Sequence, residues 1–169
     1  MIFCNNEYLE EKDAKVHYSD RGISFGDGVY DVLLYQNAKV IDFADHVERL
    51  YSNLEFTKSN FHLSREELLY IITNLITLNH LEKKNVKIII TITRGNSDRW
   101  EGDLLRLKSN VIIQTLERKN EEFRSQINLV SHEDIRWKYR HIKSTSLIAN
   151  VILRNDIDTS RYHDLLWFV

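Results

Sequence analysis

Apolar and polar residues alternate along the first part of the chain in a way that predicts paired β-strands. Residues 29–36 alternate most clearly, and residues 39–42 follow as the second arm of a hairpin. Residues 1–5 and 8–10 predict two shorter strands around an Asn5-Asn6 turn. The two faces of the 29–36 strand would carry Tyr30, Val32 and Leu34 on one side and Val29, Asp31 and Leu33 on the other.

Two segments then repeat their apolar residues at helical spacing. Residues 42–56 predict a helix with Val47, Leu50, Tyr51 and Leu54 on one stripe. A second helix is predicted from residue 64 to about 81, because Ser64 and Glu67 have the spacing of a capping box. The expected buried stripe of this second helix is Leu68, Ile71, Ile72, Leu75 and Leu78.

Further strands are indicated by runs rich in β-branched residues. These runs are residues 86–93 and 110–116. Beyond them, residues 127–130 predict a strand, residues 146–156 a helix carrying Leu147, Ile148, Val151 and Ile152, and residues 165–169 an apolar strand.

A strongly charged stretch divides these elements into two groups. We predict an α+β protein with a complete N-terminal domain at residues 1–117, a connector at 118–126 and the beginning of a second domain at 127–169. The second domain is expected to be incomplete, because an apolar strand such as 165–169 needs neighbours on both sides.

Composition narrows the function classes. Apolar residues make up 43% of the 169 residues and the formal net charge is −2. There is no basic stripe, so nucleic acid is a poor candidate partner, and no apolar run has the length of a membrane span. Cys4 is the single cysteine, which excludes an internal disulfide and favours a cytoplasmic protein.

Glycine is confined to two short stretches. The five glycines lie within residues 22–28 and 95–102. Because glycine permits positive φ and close backbone approach, this confinement favours two functional loops over two ordinary turns.

Taken singly, the candidate reactive residues are compatible with structural roles. Lys143 could be a surface charge, Arg49 could pair with Asp45 on a helix surface, and Arg99 could be an ordinary loop cation. Neither Cys4 nor the His132-Glu133-Asp134 run has metal-ligand spacing, so we predict no metal site.

Four motifs stand out when the candidate residues are taken in order along the chain. They are Asp20-Arg21-Gly22-Ile23-Ser24-Phe25-Gly26-Asp27-Gly28-Val29-Tyr30-Asp31-Val32, His46-Val47-Glu48-Arg49-Leu50-Tyr51, Thr93-Arg94-Gly95-Asn96-Ser97-Asp98-Arg99, and Glu133-Asp134-Ile135-Arg136-Trp137 with Ile142-Lys143-Ser144. In this order they resemble the opening signature, the phosphate-binding helix, the substrate loop and the segment bearing the Schiff-base lysine of the class IV aminotransferases, which are fold type IV pyridoxal phosphate enzymes. The likeness is strongest to the D-amino acid (D-alanine) aminotransferases.

The resemblance implies a D-amino acid aminotransferase-like fold and a site for pyridoxal 5′-phosphate. Lys143 would be the Schiff-base lysine and proton carrier, and Arg49 would bind the cofactor phosphate. Tyr30 and Val32 would line the substrate pocket. The implied reaction transfers an amino group from an amino acid, such as D-alanine, to a 2-oxo acid, and the implied assembly is a homodimer.

One position departs from the D-amino acid pattern. Arg99 matches the arginine of the substrate-carboxylate trap in those enzymes, but Glu101 stands where they carry a histidine. A carboxylate at this position would repel the substrate carboxylate or neutralise Arg99. The sequence therefore leaves the handedness of the donor open.

The resemblance also implies groups that follow the lysine segment in the family, namely a glutamate for the cofactor ring nitrogen and a helix N-terminus for its phosphate. The chain is therefore expected to bind pyridoxal phosphate weakly or not at all by itself. Three alternatives stay open: an inactive remnant that keeps the fold and dimer interface, one half of a split enzyme completed by a separately encoded second half, and a branched-chain aminotransferase-like or aminodeoxychorismate lyase-like member.

Overall fold

Six strands form an antiparallel sheet in the first part of the chain. The computed structural model describes residues 1–98, 103–118, 126–136 and 138–168. The strands lie in the order β2-β1-β6-β5-β3-β4. Their bounds are β1 Ile2–Cys4, β2 Glu7–Leu9, β3 Gly28–Gln36, β4 Lys39–Val40, β5 Val86–Thr93 and β6 Asn110–Glu117.

Three helices belong to the same part of the chain. The helices are α1 Arg21–Phe25, α2 Phe43–Phe56 and α3 Arg65–Leu78, and two of them, α2 and α3, pack against the sheet. The core side of β3 and β5 is set by their register, in which Val29 lies opposite Ile92 and Asp31 opposite Ile90. The predicted two-faced pattern of β3 is confirmed, since Val29, Asp31 and Leu33 are buried while Tyr30 and Val32 are half-buried.

Most predicted elements of this region occur close to their predicted bounds, although α3 ends at Leu78 rather than near residue 81 and two further features differ. The short helix α1 was not predicted, because its five residues are too few to show a period; Asp20 caps it by accepting from the backbone N–H groups of Gly22 and Ile23. The prediction that Leu78 belongs to the buried stripe of α3 was wrong. Leu78 is the last residue of α3 and is exposed, whereas Ile76, one turn after Ile72, is buried.

A second, smaller group of elements follows β6. Strand β7 spans Leu129–Glu133, helix α4 spans Ile148–Asp156, and strand β8 spans Asp164–Phe168. The strands pair in parallel, with Leu129 opposite Asp164 and Glu133 opposite Phe168. The strand predicted at 127–130 therefore begins later and runs further. Helix α4 buries Leu153, which the predicted apolar set of that helix omitted.

The chain divides into two compact units. The first comprises residues 1–119 together with 143–146, and the second comprises residues 120–142 and 147–169. Within the described ranges, no helix combines the length and the apolar character that crossing a membrane would need.

Candidate functional site

Lys143 lies at the edge of the main sheet, beside the first residues of β3. The backbone N–H of Tyr30 donates to the carbonyl oxygen of Lys143 at 3.0 Å, and Val29 and Ser144 form an antiparallel bridge. Directly opposed residues of an antiparallel pair point to the same face. The side chains of Lys143 and Tyr30 therefore share the face of β3 that is turned away from the core.

The amine of Lys143 contacts an aromatic ring. Its Nζ lies 4.3 Å from the centroid of the Tyr30 ring, which is a cation–π distance. Lys143 is half-buried, and no carboxylate of the described part of the chain forms an ion pair with it. This combination is unusual for a structural lysine, which is generally solvated or paired.

Val32 lies two residues from Tyr30 on the same face of β3. Both side chains are half-buried, with Thr91 opposite Tyr30 and Ile89 opposite Val32 on the neighbouring strand. The structure thus places Tyr30, Val32 and the Lys143 amine on one face of the same strand.

Arg49 is oriented by a buried carboxylate on the other face of β3. The Asp31 side chain is fully buried and accepts two hydrogen bonds from Arg49, at 2.9 Å from Nε and 2.8 Å from Nη2. His46 Nδ1 lies 2.8 Å from the same carboxylate. The Asp45 partner considered from the sequence is therefore not the one found. The bidentate pair holds the guanidinium plane in one orientation.

This cluster keeps Asp31 and Arg49 in their charged forms. Burial by itself would raise the pKa of the Asp31 carboxyl, but the hydrogen bonds from Arg49 and His46 outweigh it and lower that pKa below its usual value. The pKa of the Arg49 guanidinium is raised, chiefly by its hydrogen bonds to Asp31.

Arg49 keeps donors for a ligand. Its side chain is about half exposed, and Nη1 makes no hydrogen bond to any described residue. A guanidinium held on one side and open on the other is suited to an anionic oxygen.

A second carboxylate organises the turn that precedes β3. Asp27 accepts from Nε of Arg21 and Nε of Arg94, each at 2.8 Å, and both arginines are buried. Burial opposes the charge of Asp27, but the bonds from Arg94 and Arg21 lower its pKa below the usual value. Arg94 also donates to the carbonyl oxygens of Thr57 and Lys58, which follow α2.

In the second unit, the motif that resembles the approach to the Schiff-base lysine forms its own ion cluster. Asp134 accepts two hydrogen bonds from the Arg136 guanidinium, at 2.9 and 2.8 Å, and Arg140 Nε lies 3.3 Å away. The Arg136 hydrogen bonds lower the pKa of Asp134 to about 2. Arg140 is thus engaged with a carboxylate of its own unit.

Arg99 and Glu101, the predicted substrate-carboxylate residues, lie outside the described residues. Their roles stay predictions.

Several residues that hold the candidate site were missed from the sequence. Asp31 had a visible signal, because the alternation of β3 placed a charge on the face that carries Val29 and Leu33, and a charge on a core face needs partners. His46 and Arg49, three residues apart on α2, were the matching signal on the helix. No signal in the sequence indicated Arg21 and Arg94 as the partners of Asp27. Arg94 in particular is distant in the chain from the turn that it fixes.

Comparison with known proteins gives a consistent result. Residues 28–169 match the family model of amino-transferase class IV. A D-alanine aminotransferase of Staphylococcus epidermidis is 32% identical to this chain over 156 residues, which are 90% of the chain and 55% of that protein. A D-alanine aminotransferase of Listeria monocytogenes is 30% identical over 159 residues, covering 91% of the chain and 54% of that protein. The chain thus spans about 55% of the length of the first of these relatives.

Solved structures share the fold. The branched-chain amino acid aminotransferase of Escherichia coli superposes with a TM-score of 0.78 at 18% identity, over 98% of this chain and 57% of that one. The α+β, fold type IV architecture predicted from the sequence is thereby confirmed.

Proposed function

Since this chain belongs to the amino-transferase class IV family, we propose that it supplies the lysine side of a pyridoxal phosphate site that transfers an amino group from an amino acid to a 2-oxo acid. The observation that carries the proposal is the half-buried amine of Lys143, held over Tyr30 without a carboxylate partner in the described part of the chain. The whole reaction is proposed from the family, because the chain covers about half of its relatives.

By their chemistry, two side chains of this chain suit two functional groups of the cofactor. A free amine is what an aldehyde requires, and the open side of Arg49 is what a phosphate requires. When bound, pyridoxal phosphate supplies an electron sink for bonds at the α-carbon of an amino acid.

The residues of this chain would act as follows. The Lys143 amine, in its neutral form, would be the nucleophile toward the aldehyde and afterwards the base that carries the α-proton. Arg49, with its guanidinium plane held by Asp31, would bind the phosphate. Tyr30 and Val32 would form one wall of the substrate pocket and shield the amine from water on that side.

D-Alanine is the first donor to test, because the sequence relatives named above are D-alanine aminotransferases. Glu101, which stands in the sequence where the D-amino acid pattern has a histidine, argues against simple transfer of that preference, since a carboxylate near the substrate carboxylate would cost binding energy. The handedness is therefore to be measured with D-alanine and L-alanine side by side.

The test of the site is covalent trapping. We expect that millimolar pyridoxal phosphate followed by borohydride labels Lys143 ahead of the other lysines, as mapped by mass spectrometry, because its amine is half-buried and held in one place over the Tyr30 ring, whereas the other described lysines are exposed. The label should vanish from that peptide in Lys143→Ala. Lys138→Ala, which removes an exposed lysine of the neighbouring segment, is the matched control and should leave the Lys143 label unchanged. Uniform labelling of the lysines would contradict the proposal.

A further inference from the structure

The segment that carries Lys143 is held to the sheet as a short additional strand. Besides the bond from Tyr30 N–H to Lys143, the Thr145 N–H donates to the carbonyl oxygen of Gly28 at 2.9 Å. Strand β4 pairs only with the far end of β3, at Tyr35 and Gln36, so the edge beside Gly28 is open to this segment. Two backbone bonds alone form a weak pairing, because the net contribution of each hydrogen bond is small.

Two side-chain hydroxyl groups strengthen this pairing. Thr145 Oγ1 donates to the carbonyl oxygen of Gly26 at 3.0 Å, with the Gly28 carbonyl oxygen at 3.3 Å as a second acceptor. Ser146 Oγ donates to the same Gly26 oxygen at 3.0 Å. A carbonyl oxygen has two lone pairs and can accept both hydroxyls.

The residues whose carbonyl oxygens accept these bonds, Gly26 and Gly28, are glycines for a steric reason. Gly26 has φ +63°, and a Cβ on it would lie 2.3 Å from Ser146 Oγ. A Cβ on Gly28 would lie 3.2 Å from Thr145 Oγ1 and 2.9 Å from the backbone oxygen of Ile92. Side chains at these positions would push the two hydroxyls away from the turn.

The turn is anchored by Asp27, which lies between the two glycines. The ion pairs of Asp27 with Arg21 and Arg94 fix it to α1 and to the end of β5, and the Arg94 N–H donates to the Asp27 carbonyl oxygen at 3.0 Å. The hydroxyls of Thr145 and Ser146 therefore bond to a fixed part of the fold.

We propose that Thr145, assisted by Ser146, is the positioning residue for Lys143. Its hydroxyl sets the register of residues 143–146 against the Gly26–Gly28 turn, and this register holds the Lys143 amine over Tyr30. The inference rests on the proposed function, since it treats the Lys143 amine as the reacting group. Thr145 acts through the backbone and need not touch the reacting atoms.

The test compares three variants of the full chain. Thr145→Val removes the hydroxyl and keeps the shape, while Thr145→Ser keeps the hydroxyl. Ser144→Ala is the matched control, because the Ser144 hydroxyl has no hydrogen-bond partner among the residues that the structure describes. The rate of borohydride-trapped labelling at subsaturating pyridoxal phosphate is measured at Lys143 and normalised to exposed Lys87.

We expect Thr145→Val to slow the normalised labelling of Lys143 by about tenfold, the equivalent of one lost hydrogen bond. Thr145→Ser and Ser144→Ala should stay within about twofold of the parent chain. Failure of Thr145→Ser to retain the rate, or an unchanged rate in Thr145→Val, would overturn the inference.

A second measurement needs no cofactor. Amide hydrogen exchange should be about tenfold faster at Tyr30 and Thr145 in Thr145→Val, because both N–H groups belong to the pairing, and unchanged at Ile90 in β5. Faster exchange at Ile90 as well would show a general loss of stability and overturn the positioning role.

The two proposals fail in different ways. If Lys143 of the parent chain is not labelled ahead of Lys87, the proposed function is wrong, and the exchange at Tyr30 and Thr145 still decides whether the hydroxyl sets the register. If Lys143 is labelled and the Thr145 variants do not differ, only the positioning role is wrong.

Discussion

Asp31 lies on the core face of β3, opposite Ile90, so its charge depends on partners supplied by the fold. Arg49 and His46 supply them from one face of α2. Removing water from a carboxylate is costly, and charged hydrogen bonds of good geometry offset that cost. The same bonds orient Arg49, so one residue serves stability and site geometry together.

Asp31→Asn should lower the free energy of unfolding by about 2 kcal/mol at pH 7, because bonds to a charged group are lost. The pKa of Asp31 is lowered in the folded state. Its ionised form therefore stabilises the protein above the unfolded-state pKa of about 4, and this contribution disappears as the pH falls through the lower folded-state pKa. Urea unfolding at pH 7, 5 and 3 should show the difference between parent and variant shrinking only in the most acidic samples.

Asp45→Asn is the control for this prediction. Asp45 is an exposed carboxylate in the first turn of the same helix, and its loss should change stability by about 0.5 kcal/mol or less. Equal effects of the two substitutions, or a difference that does not depend on pH, would contradict the role given to Asp31.

At the scale of elements, α3 shows how closely a local signal can define a helix start. Ser64 Oγ accepts from the Glu67 N–H at 3.1 Å, and the Glu67 carboxylate accepts from the Ser64 N–H at 2.7 Å. The capping box predicted from the sequence is thus confirmed. The end of α3 had no such signal, and the helix stops at Leu78 rather than near residue 81.

Ser64→Ala should destabilise the protein by about 1 kcal/mol, because the N–H of Glu67 loses its acceptor. Thr73→Ala on the exposed side of the same helix is the control; alanine has the higher helix propensity, so stability should stay equal or rise slightly. Thermal unfolding followed by circular dichroism measures both. A destabilisation by Thr73→Ala as large as that by Ser64→Ala would contradict the capping role.

At the scale of the whole molecule, the two units differ in how much apolar surface each buries. The first unit buries long rows of β-branched residues on β5, including Ile88, Ile90 and Ile92. In the described part of the second unit, Leu153 is the single buried apolar side chain, while Ile148 and Leu166 are more than half exposed. Local stability follows buried apolar contact, so the units should open with different free energies.

We therefore expect amide hydrogens of β7 and β8 to exchange faster than those of β5. Leu153→Ala should remove the remaining protection of β7 and β8, since a buried leucine-to-alanine change costs about 2–5 kcal/mol, and leave β5 protected. Leu105→Ala is the control. Leu105 is exposed in a loop of the first unit, so its substitution should change neither the protection of β5 nor that of β7 and β8. Hydrogen-exchange mass spectrometry measures the protection in the parent chain and in both variants. Equal protection of β5 and β8 in the parent chain would contradict this expectation.

The sequence by itself determined the elements whose signals are local. Period-2 alternation assigned the two faces of β3, β-branched content located β5 and β6, and the capping box located the start of α3. The ordered motifs also indicated the family. These features were predictable because each depends on residues within one or two turns or along one strand.

Only the tertiary structure decided which distant residues meet. Arg49 bonds to Asp31 rather than Asp45, Asp27 is held by Arg94 from beyond β5, and the Lys143 segment pairs with the edge of β3 through Thr145 and the Gly26 turn. No local pattern encodes these contacts, because they arise when the strand order of the sheet brings separate stretches of chain to one edge. The physical reason is that register and edge pairing are set by the burial of the whole core face, which is a property of the assembled sheet.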